Sequence, residues 1–248
     1  MMFTPRKQFT MKYLIGIQPT GKIHIGNYLG CLKKGLQLQE EGHEVVFMIA
    51  NYHAMTTDNY TDVTEKELKR LGCKNIIHQT PEYTELFFKI CCHLNLGRLK
   101  KMPQFKEKAQ DAKFDLGILL YPALMAADII INDPDVVLVG TDQIPHMHLT
   151  NEVSKRLRGK EYEFEFGSKQ VVYGLKNSVK MSKSQGEHNV LYLFDEDYHG
   201  KLSKAVTDAE GLANLRLIAE GIGMDPYQYE MNSELKKAMA EQMQSTFG

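Results

Sequence analysis

The stretch Leu14–Gly30 constrains the fold of this 248-residue chain more than any other. Its first residues belong to the apolar run Tyr13–Ile17, as expected of a strand that is buried in a parallel sheet. The turn cluster Pro19–Gly21 ends this strand, and the apolar spacing becomes helical after His24–Asn27. A strand, a glycine-bearing turn and a helix N-terminus direct free backbone N–H groups towards a phosphate. The same residues also fit an ordinary strand-to-helix connection, since short glycine patterns are weak evidence of a nucleotide site.

Two further apolar runs of strand length predict buried parallel strands. Val45–Ala50 is followed by the polar residues Asn51–His53, and Val136–Val139 is followed by Gly140–Gln143. Ligands bind at the carboxyl ends of strands in open α/β sheets, so these polar residues are candidate site residues. Two less strongly apolar segments complete the predicted β-structure: Lys74–His78 as a short strand, and Lys160–Phe166 as a surface strand or extended loop.

Helical spacing of apolar and charged residues predicts five helices: about His24–Glu41, Asp62–Leu71, Tyr83–Leu94, Asp115–Asp128 and Ile144–Arg158. Gly159 is expected to end the last of these. Phe87 and Phe88 are predicted core residues. Tyr121 and Pro122 are predicted to mark a break or the first turn of their helix.

The remainder of the chain is predicted to contain one more strand and several short helices. Gln170–Tyr173 has the pattern of a strand, and helices are expected from Tyr198 onward. Leu235, Met239 and Met243 recur at helical spacing and predict one apolar face.

Length and composition are those expected of a cytoplasmic globular protein. At 248 residues the chain fits one large α/β domain, with or without a small appendage, and 43% hydrophobic with 25% charged residues is ordinary for a soluble globular protein. No apolar run reaches the roughly 18 residues of a membrane helix, and Met1–Thr10 resembles a polar extension more than a signal peptide. The four cysteines include no CxxC pair, which argues against a zinc site and a disulfide framework. His146 and His148 do not share a helix face, so they are interpreted as structural and not as metal ligands.

Two short motifs indicate a function when they are considered together. Gly174–Gly186 is polar and glycine-bounded, and by itself it would be a mobile loop with solvated lysines. It contains KMSKS at Lys180–Ser184, and HIGN stands earlier in the chain at His24–Asn27. The pair resembles the two hallmark motifs of class I aminoacyl-tRNA synthetases. HIGN departs from the class consensus HIGH at Asn27, a substitution that is usual in tryptophanyl-tRNA synthetases.

The resemblance to tryptophanyl-tRNA synthetases covers most of the chain. Six segments carry it: GIQPTG (Gly16–Gly21), HIGNYLG (His24–Gly30), QFKEK (Gln104–Lys108), YPALMAAD (Tyr121–Asp128), GTDQ (Gly140–Gln143) and AVTDAEG (Ala205–Gly211). GTDQ differs from the GEDQ of the family at Thr141, which puts only that side-chain contact in doubt. The fold implied is a Rossmann-type parallel sheet flanked by helices.

Tyrosyl-tRNA synthetase is the nearest alternative, because it shares the fold and both motifs. Asp128 does not discriminate, since a carboxylate accepts a hydrogen bond from an indole N–H or a phenol O–H. Tyrosine enzymes typically have a Tyr where this chain has Leu14 and a Gln where it has Met125. An apolar pocket with one acceptor suits indole, which only donates, and favours tryptophan.

The resemblance implies ATP-dependent activation of L-tryptophan to tryptophanyl-adenylate and transfer to tRNA(Trp). The implied catalytic residues are His24 and Asn27 near the α-phosphate, Lys180 and Lys183 at the β- and γ-phosphates, and Lys108, which together with Lys106 is directed towards the phosphates. Mg²⁺ is expected to arrive with the ATP phosphates, without a dedicated protein site. The implied ATP contacts are Gln18, Pro19, Thr20, His24, Gly26, Asn27, Gly140, Thr141, Asp142, Val172, Lys180, Met181, Ser182, Lys183 and Ser184.

The resemblance also implies a tryptophan pocket. Asp128 would bind the indole N–H, Tyr121 and Gln143 the ammonium group, and His53 and Val139 would wall the ring. The full implied set is Leu14, Gln18, His53, Tyr121, Met125, Asp128, Val139 and Gln143.

The domain organisation predicted is a polar extension at 1–10, a catalytic domain at 11–193 and a truncated helical domain at 194–248. The family has a longer region after KMSKS that reaches the anticodon, so the chain is expected to be an unusually short form that reads mainly the acceptor end of tRNA. Basic residues that could do so, if they are not merely solvated, are Arg98, Lys100, Lys101, Lys155, Arg156 and Arg158. A homodimer is expected from the family. A paralogue that binds tryptophan and ATP without charging tRNA is the alternative from a different functional class.

Overall fold

A parallel sheet of five strands organises the first of two units in the computed structural model, which describes residues 10–56, 60–103, 105 and 116–248. Unit 1 contains the described residues up to Thr20 and those of Lys34–Gly167, and unit 2 contains Gly21–Lys33 and Ser168–Gly248. The domain boundaries predicted from the sequence, at residues 10 and 193, stay predictions.

The sheet has the order β3-β2-β1-β4-β5, and every neighbouring pair is parallel. Its strands confirm the α/β class and the five strand segments predicted for this part of the chain, and helices flank the sheet. Their bounds are β1 Lys12–Ile17, β2 Glu44–Ile49, β3 Asn75–His78, β4 Val136–Val139 and β5 Glu163–Phe166.

The central position of β1 in the sheet explains why its residues are apolar on both faces. Leu14 pairs in register with Val46 of β2 and Val137 of β4, and all three side chains are buried. A strand with neighbours on both sides and helices over the sheet has no face in water, so each burial contributes to stability. The polar residues that follow β2, β3 and β4 stand at the same carboxyl edge of the sheet.

The described helices confirm the predicted ones and add short segments between them. In chain order they are α1 Ile25–Asn27, a π-helical segment Tyr28–Leu32, α2 Lys33–Glu40, α3 Asn51–Ala54, α4 Val63–Arg70, α5 Pro81–Cys91, α6 Leu96–Leu99, α7 Leu116–Asn132, α8 Ile144–Arg158, α9 Tyr198–Ser203, α10 Ala209–Gly221 and α11 Asn232–Phe247. Gly159 ends α8 as predicted, with a positive φ of 69° that favours glycine.

Gly35 lets α2 lie close to the sheet. A Cβ atom at this position would stand 2.3 Å from Ile15 Cδ1 and 3.2 Å from Phe47 Cε1. We expect Gly35→Ala to lower the free energy of unfolding by about 1–3 kcal/mol, because both contacting side chains belong to a packed core.

Gly30, five residues earlier, is the matched control for Gly35. A Cβ atom there meets no atom within 4 Å, so Gly30→Ala is expected to be neutral or to stabilise by about 0.5–1 kcal/mol. Urea unfolding of both variants checks the pair. Equal midpoints for the two variants would contradict the close approach at Gly35.

Two predictions in the helices of unit 1 were wrong. Phe88 is 70% exposed, because the buried residues of α5 are Tyr83 and Ile90, seven positions apart, and Phe88 lies off that face. Pro122 lies inside α7 and not at its start or at a break. It is buried in a strongly apolar helix, so tertiary packing outweighs the hydrogen bond that proline cannot donate.

The strand predicted at Gln170–Tyr173 in unit 2 was also wrong. Tyr173 forms only an isolated antiparallel bridge with Lys180. The Asn214 side chain forms hydrogen bonds with both backbone groups of Tyr173: it accepts from Tyr173 N at 2.9 Å and donates to Tyr173 O at 3.0 Å. The backbone of Tyr173 is therefore bonded to a side chain in place of a sheet ladder.

Unit 2 is largely helical. Its α11 buries Leu235, Met239 and Met243, which confirms the predicted apolar face, and α11 packs against α9. Ile25 N donates to Leu191 O and Leu193 N donates to Ile23 O, so a short antiparallel pairing precedes α1. Within the described part of the chain, no helix combines the length and the apolar character that crossing a membrane requires.

Candidate active site

His24 and Asn27 of unit 2 cap the start of α1 reciprocally. The His24 ring accepts the Asn27 main-chain N–H at Nδ1, and the Asn27 side chain accepts the His24 main-chain N–H, each at 3.3 Å. Because Nδ1 accepts, the proton of the neutral ring is on Nε2, and His24 presents an N–H donor there. Asn27 in HIGN thus has a local structural role in addition to any contact with a ligand.

The charge state of His24 follows from its surroundings. Burial, together with the nearby positive charges of Lys183 and Lys180, lowers the pKa of His24 to about 3. The imidazole is therefore neutral at physiological pH, and the positive charge at this place comes from the lysines. His24 and the two lysines of KMSKS are the first functional grouping that the structure brings together.

Two glycines bring the motifs of unit 2 into close approach. A Cβ atom on Gly21 would stand 3.8 Å from Lys183 Cδ and 3.9 Å from its Nζ. A Cβ atom on Gly26 would stand 3.0 Å from His24 Nδ1 and 3.7 Å from Val172 Cβ. Lys183 therefore lies over the glycine turn, and Val172, predicted to pack on adenine, lies beside Gly26.

The KMSKS segment has a defined conformation. Met181 is buried and its N–H donates to Val172 O, while Lys183–Gln185 form a short 3₁₀ helix. Ser182 and Ser184 lie with their hydroxyl oxygens 3.0 Å apart. The buried methionine anchors the segment, so that the lysines on either side of it are presented from a fixed backbone.

In unit 1, Asp128 of α7 forms the centre of a buried polar cluster. Its Oδ2 lies 2.8 Å from His53 Nε2, and its Oδ1 accepts from Gln79 Nε2 at 2.5 Å. All three side chains are no more than 5% exposed. Burial raises the pKa of Asp128, and the hydrogen bonds from His53 and then Gln79 oppose that shift.

Tyr121 joins this cluster from a position about two turns before Asp128 on α7. Its ring makes edge contacts with His53 and His146, at centroid distances of 4.3 and 5.6 Å, and its hydroxyl accepts from Gln18 Nε2 at 3.3 Å. Burial raises the pKa of Tyr121 to about 12, so it is a neutral phenol that can donate or accept. The structure thus brings together Gln18, His53, Tyr121 and Asp128 from the predicted tryptophan set.

The remaining predicted tryptophan contacts have different surroundings. Leu14 and Val139 are buried in the sheet core, and Met125 is partly buried against the same core. Gln143 donates to Asp142 Oδ2 at 2.8 Å, and its buried Oε1 has no hydrogen-bond partner among the described residues. That oxygen is free to accept from a ligand.

Several residues predicted to contact ATP belong to neither the His24–lysine grouping nor the Asp128 cluster. Lys106 and Lys108 lie outside the described residues. Pro19 accepts from Thr61 N through its carbonyl, in unit 1. Gly140 and Thr141 lead into the 3₁₀ turn Thr141–Gln143. In the described ranges, no cluster of three or more His, Cys, Asp or Glu residues could hold a metal ion.

Gln79 is the site residue that the sequence interpretation missed. It directly follows β3, at the carboxyl edge of the sheet, and therefore satisfies the rule that singled out the residues after β2 and β4. The weak apolar character of β3 concealed this signal.

His146 of α8 is buried with both ring nitrogens unpartnered among the residues described. Burial lowers its pKa to about 4, from an ordinary value near 6.5. The unfolded chain therefore takes up a proton in a pH range where the folded protein does not, and stability decreases as the pH falls from about 6.5 towards 4.

We expect the unfolding free energy of His146→Leu to depend less on pH than that of the parent protein. Between pH 7.5 and pH 5.0 the parent protein should lose about 2 kcal/mol more of its unfolding free energy than His146→Leu does. Urea unfolding at the two pH values measures it, with His93→Leu, at an exposed position, as the control. An unchanged pH dependence for His146→Leu would show that this histidine is protonated in the folded state.

A Rossmann-type sheet in unit 1, with a HIGN turn and a KMSKS segment in unit 2, is characteristic of a class I aminoacyl-tRNA synthetase. The profile of the family "tRNA synthetases class I (W and Y)" matches residues 6–74 and 73–247. The letters denote tryptophan and tyrosine, the two substrates between which the sequence interpretation had to choose.

Relatives distinguish between these two substrates. The tryptophan–tRNA ligase of Malacoplasma penetrans is 34% identical over 232 residues, covering 80% of this chain and 69% of the relative. The crystal structure of tryptophanyl-tRNA synthetase from Mycoplasma pneumoniae aligns with a TM-score of 0.80 at 27% identity, covering 96% of this chain and 85% of that one. The Campylobacter jejuni tryptophanyl-tRNA synthetase complexed with ADP and tryptophan aligns with a TM-score of 0.73 at 28% identity, covering 96% and 86%. This chain belongs to the tryptophan–tRNA ligase family.

Proposed function

We propose that the chain activates L-tryptophan with ATP and transfers it to tRNA(Trp). The observation that carries the proposal is the grouping of His24, Lys180 and Lys183 in unit 2, where the two lysines act electrostatically on the buried imidazole. Such an arrangement of one neutral N–H donor and two cations is suited to a polyphosphate that gains negative charge during reaction. The names of the relatives supply the amino acid.

The chemistry is an in-line displacement at the α-phosphate of ATP. A tryptophan carboxylate oxygen forms the new bond to phosphorus, the bond to the bridging oxygen breaks, and pyrophosphate leaves with the electron pair. Lys180 and Lys183 would neutralise the charge that grows on the leaving group, and His24 Nε2–H would donate to the α-phosphate. Asn27 orients His24 by the reciprocal cap.

Mg²⁺ would enter with ATP and supply further neutralisation of the phosphate charge. The groups around Lys180 and Lys183 are cations and neutral donors such as Ser182 and Ser184, which suit phosphate oxygens better than a metal ion. The phosphates themselves would hold the ion.

Unit 1 would select the amino acid. The Asp128 carboxylate is a buried acceptor for the indole N–H, and Met125 can pack on the ring. Tyr121 and the unpartnered Oε1 of Gln143 are available for the ammonium group. We retain Leu14, Gln18, His53 and Val139 in the proposed tryptophan set, and Pro19, Thr20, Gly26, Gly140–Asp142, Val172 and Met181 in the proposed ATP set.

ATP–pyrophosphate exchange with tryptophan, run beside tRNA charging, tests the proposed function. Exchange that depends on tryptophan and not on tyrosine supports the assignment of substrate. Charging of tRNA(Trp) in the same preparation supports the full reaction. Exchange without charging would favour the paralogue that only binds or activates tryptophan.

Recognition of tRNA by the six basic residues singled out from the sequence receives limited support. Arg98 and Arg156 both pair with Glu152, Lys155 pairs with Glu161, and Arg158 donates to Ile130 O. Lys100 and Lys101 are exposed and are the better candidates for the acceptor end. Charging of anticodon-substituted tRNA tests acceptor-end recognition, which a large loss of rate would contradict.

We also propose a cytoplasmic homodimer. The four cysteines are all free thiols, as expected in a reducing compartment. Unit 1 exposes large apolar side chains, including Phe88 at 70% and Leu96 at 53%, which a second copy could cover. Sedimentation equilibrium tests the dimer, and a monomer at micromolar concentration would exclude it.

A further inference from the structure

A chain of hydrogen bonds links the main chain of α3 to the Asp128 carboxylate through Gln79. The Tyr52 main-chain N–H donates to Gln79 Oε1 at 2.7 Å, and Gln79 Nε2 donates to Asp128 Oδ1 at 2.5 Å. The other carboxylate oxygen, Oδ2, lies 2.8 Å from His53 Nε2. Gln79 and Asp128 are 5% and 2% exposed, so water does not compete effectively for these bonds.

The first bond determines the direction of the second. A main-chain N–H can only donate, so the oxygen of the Gln79 amide faces Tyr52 and its NH₂ group faces Asp128. Gln79 must therefore donate, and Asp128 Oδ1 must accept. Because His53 holds the other oxygen, the carboxylate plane is oriented from two sides.

We propose that Gln79 is a positioning residue that makes Asp128 selective for ligands with a ring N–H. This inference rests on the proposed function, in which Asp128 accepts from the indole. By donating to Oδ1, Gln79 disfavours a proton on that oxygen and keeps the carboxyl group an acceptor. A ligand without a ring N–H leaves this buried acceptor short of a partner, which is how such sites reject close analogues.

Gln79→Met tests the proposal because methionine has a similar length and no donor. The probes are tryptophan and β-(benzothiophen-3-yl)-L-alanine, in which sulfur replaces the indole N–H, in ATP–pyrophosphate exchange. We expect kcat/KM for tryptophan to fall roughly ten- to thirtyfold, mainly through KM. The analogue should lose less than about threefold, so that the preference for tryptophan shrinks while the KM for ATP stays the same.

Gln79→Glu provides a second, independent readout. Its carboxyl group can still accept from Tyr52 N–H, but it can donate to Asp128 only when protonated, and the two carboxylates repel when both are charged. The KM for tryptophan of this variant, divided by that of the parent protein, should therefore rise as the pH increases from 6 to 9. Among the residues that the structure describes, the titratable groups that interact with Asp128 are His53, Tyr83 and Tyr121. They are the same in both proteins, so the ratio removes their direct contribution.

Asn132→Leu is the matched control. Asn132 is a buried amide on α7, the helix that carries Asp128. It donates to the main-chain oxygen of Asp128 and to the Tyr83 hydroxyl, not to the Asp128 carboxylate. This variant should lower stability and keep the preference for tryptophan over the analogue.

An unchanged preference in Gln79→Met, or a pH-independent ratio in Gln79→Glu, would overturn the proposal. So would an equal loss of preference in Asn132→Leu, since that loss would be a general consequence of disturbing the core. If the parent protein showed no exchange with tryptophan, the proposed function would fail first, and the inference would fail with it.

Discussion

Replacement of Lys183 by alanine is expected to slow the formation of tryptophanyl-adenylate by roughly two to three orders of magnitude. That scale is typical for the loss of one preorganised donor that stabilises charge in a transition state. Lys183 lies over Gly21 and adds to the lowering of the His24 pKa, so its charge acts on the HIGN turn. Its removal would leave the leaving pyrophosphate without one of the two KMSKS lysines.

Pre-steady-state measurement of adenylate formation at saturating ATP separates this effect from weaker binding. Lys176→Ala is the control, because Lys176 is an exposed lysine of the same segment whose main-chain N–H, bonded to Asn189, is kept in the variant. A rate near that of the parent protein for Lys183→Ala would remove Lys183 from the mechanism. An equal loss in Lys176→Ala would point to a nonspecific effect of charge.

The second large effect is expected for Asp128→Asn. The amide keeps the shape of the side chain, but it has one acceptor oxygen in place of two, and Gln79 Nε2 already donates at this place. We expect kcat/KM for tryptophan to fall roughly ten- to 150-fold, the range for a hydrogen bond to a charged group. The benzothiophene analogue, which offers no N–H, should lose much less.

The comparison of the two ligands guards against a simple loss of folding. A variant with disturbed packing would lose activity with both amino acids and would melt earlier. Equal losses for tryptophan and the analogue would mean that Asp128 does not bind the ring N–H. A selective loss for tryptophan would identify the carboxylate as the acceptor.

Much of the fold is predictable because it depends on neighbours in the chain. The run Val136–Val139 is apolar at every position, and it forms β4 over those same residues. Gly159 ends α8 because the helix terminates in a left-handed conformation that glycine adopts easily. Prediction was poorer where tertiary packing decides, as for Phe88, whose exposure depends on which face of α5 meets the core.

The candidate site likewise has features that are local in the sequence and features that depend on side-chain direction or on distant residues. HIGN and KMSKS are contiguous motifs, and their identification required only the order of residues along the chain. The role of Asn27 as a cap for His24 depends on side-chain direction, although the residues are three positions apart. Tyr173 was misassigned because a distant amide, Asn214, takes its backbone groups.

The amino-acid sequence alone identified the α/β class, the two signature motifs and the preference for tryptophan over tyrosine at Leu14 and Met125, because each is a local pattern or a residue identity. Only the tertiary structure identified Gln79 as a partner of Asp128, since the two residues are 49 positions apart. It also determined the neutral state of His24, because burial and the charges of Lys180 and Lys183 act through space and not along the chain.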